Sequence, residues 1–166
     1  MMIGTGANAE IYPSFQDLNP IIDIACPRSV GGINAAARLA SAMNIPFKLH
    51  ELDCEPFFHG YGPSCSDKNL VFAVWNLQIT DIYGEDVDLP FYICEGDGPL
   101  LLGNHLVHKS MLDGLKNLLI IPPNVAKLSK KRIAFSTYTV GDPGSLYTYL
   151  NVVPAYYTSI KSLFST

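Results

Sequence analysis

The chain reads as a mainly β domain carrying two short helices. Apolar and polar residues alternate with period two through residues 47–52, as in a half-buried strand. Aliphatic and aromatic residues crowd residues 70–82, including Val71, Phe72, Val74 and Trp75, a composition suited to a pleated surface. Helical spacing of apolar residues is confined to two segments, 34–43 and 104–115.

Residues 1–20 carry Gly4, Gly6, Pro13 and Pro20, with only a weak strand signal at 10–12. The first firm apolar run is Ile21-Ile22, followed by Asp23-Ile24-Ala25. In residues 34–43, Ala35, Leu39, Ala42 and Met43 recur at the spacing of one helix face. Asn34 is the expected N-cap, and Pro46 stops the helix after Asn44. After the strand at 47–52, residues 56–63 hold Phe57, Phe58, Gly60, Tyr61 and Gly62, a strand running into a glycine-flanked tip. Residues 70–82 and 87–94 form two strands joined by the turn Tyr83-Gly84-Glu85-Asp86. A second turn, Glu95 to Pro99 in sequence, leads to a short buried strand at 100–102 ending at Gly103. Leu106, Val107, Met111, Leu112 and Leu115 mark the second helix, with Gly114 as its breaker. Residues 118–121 are a further strand closed by Pro122-Pro123.

Beyond Pro123, Lys127, Lys130, Lys131 and Arg132 form a basic cluster, residues 133–140 suit one more strand, and the Tyr-, Ser- and Thr-rich remainder lacks a clear period. The expected organisation is an N-terminal extension at 1–14, a main domain at 15–122, and a C-terminal linker or extension at 123–166.

Composition narrows the function classes. Apolar residues make up 48% and charged residues 16% of the 166 residues, the opposite of a disordered chain. A formal charge of −4 argues against nucleic-acid binding, which needs a basic excess. No apolar run approaches the roughly 20 residues of a membrane span. The N-terminal residues lack a basic start and an apolar h-region. Cys26, Cys54, Cys65 and Cys94 are therefore expected to be reduced thiols of an intracellular, cytoplasmic protein, a Cys54–Cys65 disulfide being the lesser alternative.

Two segments resemble the signature of the retropepsin-like aspartic protease family of retroviruses and retroelements. The first is Ile21-Ile22-Asp23-Ile24-Ala25-Cys26-Pro27-Arg28-Ser29-Val30. There the family has two apolar residues, the catalytic aspartate, Thr or Ser, and then Gly or sometimes Ala. The second is Leu101-Leu102-Gly103-Asn104-His105-Leu106, similar to the apolar-apolar-Gly segment that opens the family's C-terminal helix. Between them, residues 57–63 stand where the family has its flap hairpin. The resemblance covers residues 15–121 and implies a small closed β-barrel of the retropepsin type, with one helix after the Asp23 loop and one near 104–115.

The resemblance also implies a chemistry. Such enzymes hold a water between two carboxylates that share one proton; two such groups about 3 Å apart cannot both ionise cheaply, so one acts as base and one as acid. A chain with one motif supplies one carboxylate and must pair with a second copy, so the implied partner is a homodimer mate, with Asp23 of each copy at the two-fold axis. Asp23 would activate the water, with Ile24, Ala25 and Cys26 shaping its loop. Gly60, Tyr61 and Gly62 would form the flap tip over an extended peptide, and Leu102 and Gly103 the helix-opening motif. No cofactor or metal is expected, and the substrate would be a peptide or the element's own polyprotein.

Other readings stand beside this one. Ile24 replaces the hydroxyl residue that braces the two loops across the axis, so a catalytically inactive dimerisation or peptide-binding module is the alternative function. Asp23 could instead be a strand-end aspartate supporting a turn. His105 and His108 have a metal-compatible spacing but no acidic or thiol residue nearby to complete a set. Trp75 suits the core.

Overall fold

The computed structural model describes residues 18–52 and 71–153. They build a ten-stranded sheet and one α-helix. The strands are β1 (Ile21–Ile22), β2 (Val30–Gly32), β3 (Leu49–Glu51), β4 (Val71–Thr80) and β5 (Asp86–Cys94). They continue with β6 (Leu101–Leu102), β7 (Leu112–Asp113), β8 (Leu118–Ile121), β9 (Ile133–Asp142) and β10 (Ser145–Leu150). The helix, α1 (Ile33–Met43), comes directly after β2. Across the sheet the order is β3-β4-β5-β2-β6-β1-β10-β9-β8-β7.

The mainly β expectation therefore holds, but the closed barrel does not. Closure requires the outermost strands to pair, and among the described residues β3 bonds only β4 while β7 bonds only β8. Both are short, and β3 exposes His50 and Glu51, features that blunt an open edge.

The core lies where alternation is strongest. In β4 the inward face is Val71, Ala73, Trp75, Leu77 and Ile79, and in β5 it is Val87, Leu89, Phe91 and Ile93. Antiparallel register sets Trp75 against Phe91 and Leu77 against Leu89, so the buried faces coincide. Trp75 is 1% exposed, with Phe47 packed edge-on at 5.6 Å; it is a core residue.

α1 buries Ala35, Ala36, Leu39 and Ala40. Ala42, expected on the apolar face, is exposed, and Met43 is half-buried. The N-cap is Gly32 rather than Asn34, whose amide instead donates to Asp97 at 2.9 Å. Asn44 closes the helix in the left-handed conformation, with φ 55°, just ahead of Pro46.

The expected helix at 104–115 is absent. Leu106 and Val107 both donate to the Gly103 carbonyl, completing one turn. His108 then turns extended, and its ring accepts the Ser110 N–H. A short 3-10 segment, Lys109–Met111, leads into β7, whose Leu112 pairs with Leu119 of β8. Asp113 accepts the Leu115 and Lys116 N–H groups in the hairpin turn, leaving Leu115 98% exposed. Local side-chain acceptors and strand pairing thus outcompete the helix that the apolar spacing suggests.

The segment after Pro122, expected as a linker or extension with one strand, contributes two. β10 lies between β1 and β9, in the middle of the sheet. Asn19 ties the two ends of the described chain together: its Oδ1 accepts the Val152 and Val153 N–H groups, and its Nδ2 donates to the Val153 carbonyl.

Candidate functional site

Asp23 sits where three short strands cross. β1 delivers it, and the loop beyond it leads into β2. β6 runs between those two strands, parallel to β1 and antiparallel to β2, giving the outline of the letter ψ. Backbone bonds lock the crossing: Ile21 N–H to Leu100 O at 2.8 Å, Asp23 N–H to Leu102 O at 2.9 Å, and Asn104 N–H to Cys26 O at 2.8 Å.

Gly103 is required by this close approach. A methyl there would stand 2.7 Å from the Cys26 carbonyl oxygen and nearer still to that of Arg28. Its N–H donates to Ser29 Oγ at 3.0 Å, and Ser29 is completely buried. Leu102 is fully buried beside it. The Leu102-Gly103 pair therefore braces the Asp23 loop, but it opens a single turn and not a helix.

Within the loop, Ala25 N–H donates to Asp23 Oδ1 at 3.1 Å, and Cys26 N–H to the Asp23 carbonyl at 3.1 Å. Ala25 does this without a positive φ, so the alanine is unstrained. Asp23 is half-buried and Ala25 exposed. Ile24 is 40% exposed, its carbonyl accepting the Asn104 side chain at 3.2 Å. Its side chain thus occupies the outer surface of the loop. Cys26 donates its thiol to the Arg28 carbonyl. Burial pushes that thiol's pKa up, and the neighbouring Asp23 carboxylate adds to the rise, so Cys26 is a poor source of thiolate.

A cleft of about 730 Å³ opens beside the loop. Asp23, Ile24 and Ala25 line one side, and Leu146, Tyr147, Thr148 and Tyr149 of β10 line another. Ile21 pairs antiparallel with Tyr149, so the residues ahead of Tyr149 run on past Asp23. Ala35, Arg38, Asp97 and Leu112 also reach the cleft. Arg38 and Asp97 form an exposed ion pair at 3.4 Å. Hydrogen bonds from Asn34 and Arg38 hold the Asp97 carboxyl below its usual pKa.

The contribution of β10 is missing from the sequence-based expectation. Asp142-Pro143-Gly144-Ser145 is a usable signal for it, because Pro followed by Gly at φ 93° makes a tight hairpin link. Arg38 and Asp97 carry no local signature, being 59 residues apart in sequence. The flap residues Gly60, Tyr61 and Gly62, with Cys54 and Cys65, lie outside the described residues. No group of three or more His, Cys, Asp or Glu among the described residues, His105 and His108 included, could hold a metal. None of the helices in the described residues is long and apolar enough to cross a membrane.

No protein-family model, curated protein or solved structure matches the chain, so the reading of the site rests on its own geometry.

Proposed function

We propose that the chain is an aspartic endopeptidase of the retropepsin-like kind, acting as a homodimer in which Asp23 of each copy activates a shared water. The proposal concerns the Asp23 crossing and not barrel closure. The observation that carries it is the half-buried Asp23 carboxylate, steadied by one loop N–H and facing a large cleft on a ψ-shaped crossing. A carboxylate with a single backbone donor keeps acceptor capacity for a water or a partner carboxyl. Two copies meeting at that loop would titrate as a pair, one proton between them. An extended peptide, such as a segment of a retroelement-type polyprotein, would lie along the cleft.

The second reading is a non-catalytic dimerisation or peptide-binding module, favoured by Ile24. Isoleucine cannot donate the cross-axis hydrogen bond of a Thr or Ser, and its exposed side chain would be buried between the two copies instead. A displacement of the carboxylates of the order of 1 Å would cost about a hundredfold in rate.

Cleavage of an unfolded polypeptide at mildly acidic pH decides between them. Pepstatin-sensitive activity, abolished in Asp23→Asn, is the expected result. A silent wild type that Ile24→Thr activates would support the module reading, and activity surviving Asp23→Asn would rule out the mechanism. Sedimentation checks the assembly: a strict monomer at high concentration cannot form the two-carboxylate site.

A further inference from the structure

The Asp23 loop lines the large cleft with its first residues, but its last part borders a different cavity. That second cavity, about 130 Å³, is lined by Arg28, Val74, Pro90, Phe91, Tyr92 and His105. It shares no residue with the cleft beside Asp23. The Arg28 guanidinium lies over the Tyr92 ring, 5.9 Å from its centroid, which fixes a planar cation at the cavity wall. Arg38–Asp97 is the ion pair found among the described residues, and Arg28 forms none with a described carboxylate. His105 faces the same space and is held there by Gly103 and Asn104, which pack on the carbonyls of the Asp23 loop.

We propose that this cavity is a carboxylate-binding site, taking the side chain of a glutamate in a peptide ligand. Arg28 offers paired N–H donors with the spacing of two carboxylate oxygens, the geometry of a fork-to-fork contact. His105 adds a third donor from its ring. The apolar surface supplied by Val74 and Pro90 suits the methylene stem of the glutamate. Charge favours a carboxylate over a phosphate. Partial desolvation, and then the nearby Arg28, lower the His105 pKa, so near neutral pH the cavity holds about one positive charge, matched by a monoanion. The site needs neither catalysis nor a second copy, and so it stands or falls apart from the proteolysis reading.

The test is binding to the full chain, monitored by the NMR signals of the His105 ring and the Arg28 Nε–H. The probes are acetate, inorganic phosphate, and two blocked peptides that differ only by Glu or Gln at the centre. The expected result is that acetate and the Glu peptide shift both signals, with the Glu peptide at least fivefold tighter than the Gln peptide. Arg28→Gln should erase that preference, Arg28→Lys should retain part of it, and His105→Gln should weaken it by a few fold. Each variant's spectrum reports whether its fold is intact. Equal affinity for the Glu and Gln peptides, or a preference that survives in folded Arg28→Gln, overturns the proposal. Phosphate binding tenfold tighter than acetate overturns the assignment to a carboxylate.

Discussion

Asp23 and Asp81 each follow directly on an apolar strand, and the protein uses them in opposite ways. Asp23 comes after Ile21-Ile22 at the end of β1, and Asp81 after Ile79-Thr80 at the end of β4. Asp81 is 6% exposed, and its carboxylate accepts three backbone N–H groups: Tyr83 at 3.0 Å, Glu85 at 2.7 Å, and Ala134 of β9 at 3.0 Å. Most of its acceptor capacity is taken up by pinning the β4–β5 turn to β9. Asp23 accepts one N–H and leaves the remainder of its carboxylate toward the cleft. The two local sequences differ little, so the distinction lies in how many donors the fold brings to each carboxylate. An aspartate occupied by three backbone donors is structural, whereas one with a single donor at a cleft has capacity left for a ligand.

This contrast can be broken most forcefully at Asp81. Asp81→Ala would strand three backbone donors, one of them on another strand. It is expected to cost about 3 kcal/mol, lowering Tm by roughly 6–12 °C in calorimetry. Gly103→Ala would push a methyl into the carbonyls of the Asp23 loop, with an expected loss of about 1–3 kcal/mol in denaturant unfolding. Ser29→Ala leaves the Gly103 N–H without its acceptor and should cost about 1–2 kcal/mol by the same measurement.

Asp23→Asn sharpens the comparison from the other side. Its expected effect on stability is within about 0.5 kcal/mol, even as any cleavage activity disappears. A loss at Asp23 as large as that at Asp81 would make both aspartates structural. The smallest effect is expected at Asp97. Its folded pKa is depressed, so its contribution is present at neutral pH and is lost as pH falls through that lowered value. Because the pair with Arg38 is exposed, the readout is an NMR titration of Asp97, whose midpoint should rise in Arg38→Gln.

The legibility of the fold and the site in the sequence depends on the range of the interactions involved. The strand expected at residues 118–121 matches β8 end for end, and the stretches read as strands from composition and an intervening turn, 70–82 and 87–94, are β4 and β5, whereas the alternating segment 47–52 pairs only over Leu49–Glu51. Ile21-Ile22-Asp23 and Leu102-Gly103 are each visible as separate motifs. That β6 runs between β1 and β2 is a long-range fact with no local trace. Asn34 misleads because its amide is claimed by Asp97, 63 residues away. β10 is hidden because Leu146 and Tyr147 are apolar neighbours that are both exposed, at 58% and 54%, so no apolar–polar alternation marks the strand. Residues 104–115 have helical spacing, but Asp113 and His108 cap their own neighbours and divert the chain into the β7–β8 hairpin.

The location of β10 also bears on how the protein matures. β9 and β10 are the last described strands to leave the ribosome, yet they join the half of the sheet holding β1 to the half holding β8. Until Leu150 has emerged, β1 has an unfilled side, the Pro20 carbonyl lacks the Leu150 N–H, and Asn19 lacks its acceptor and donors at Val152 and Val153. The cleft beside Asp23 is consequently finished only once β10 has emerged, so a nascent chain that has not yet reached Leu150 presents no completed cleft to its neighbours.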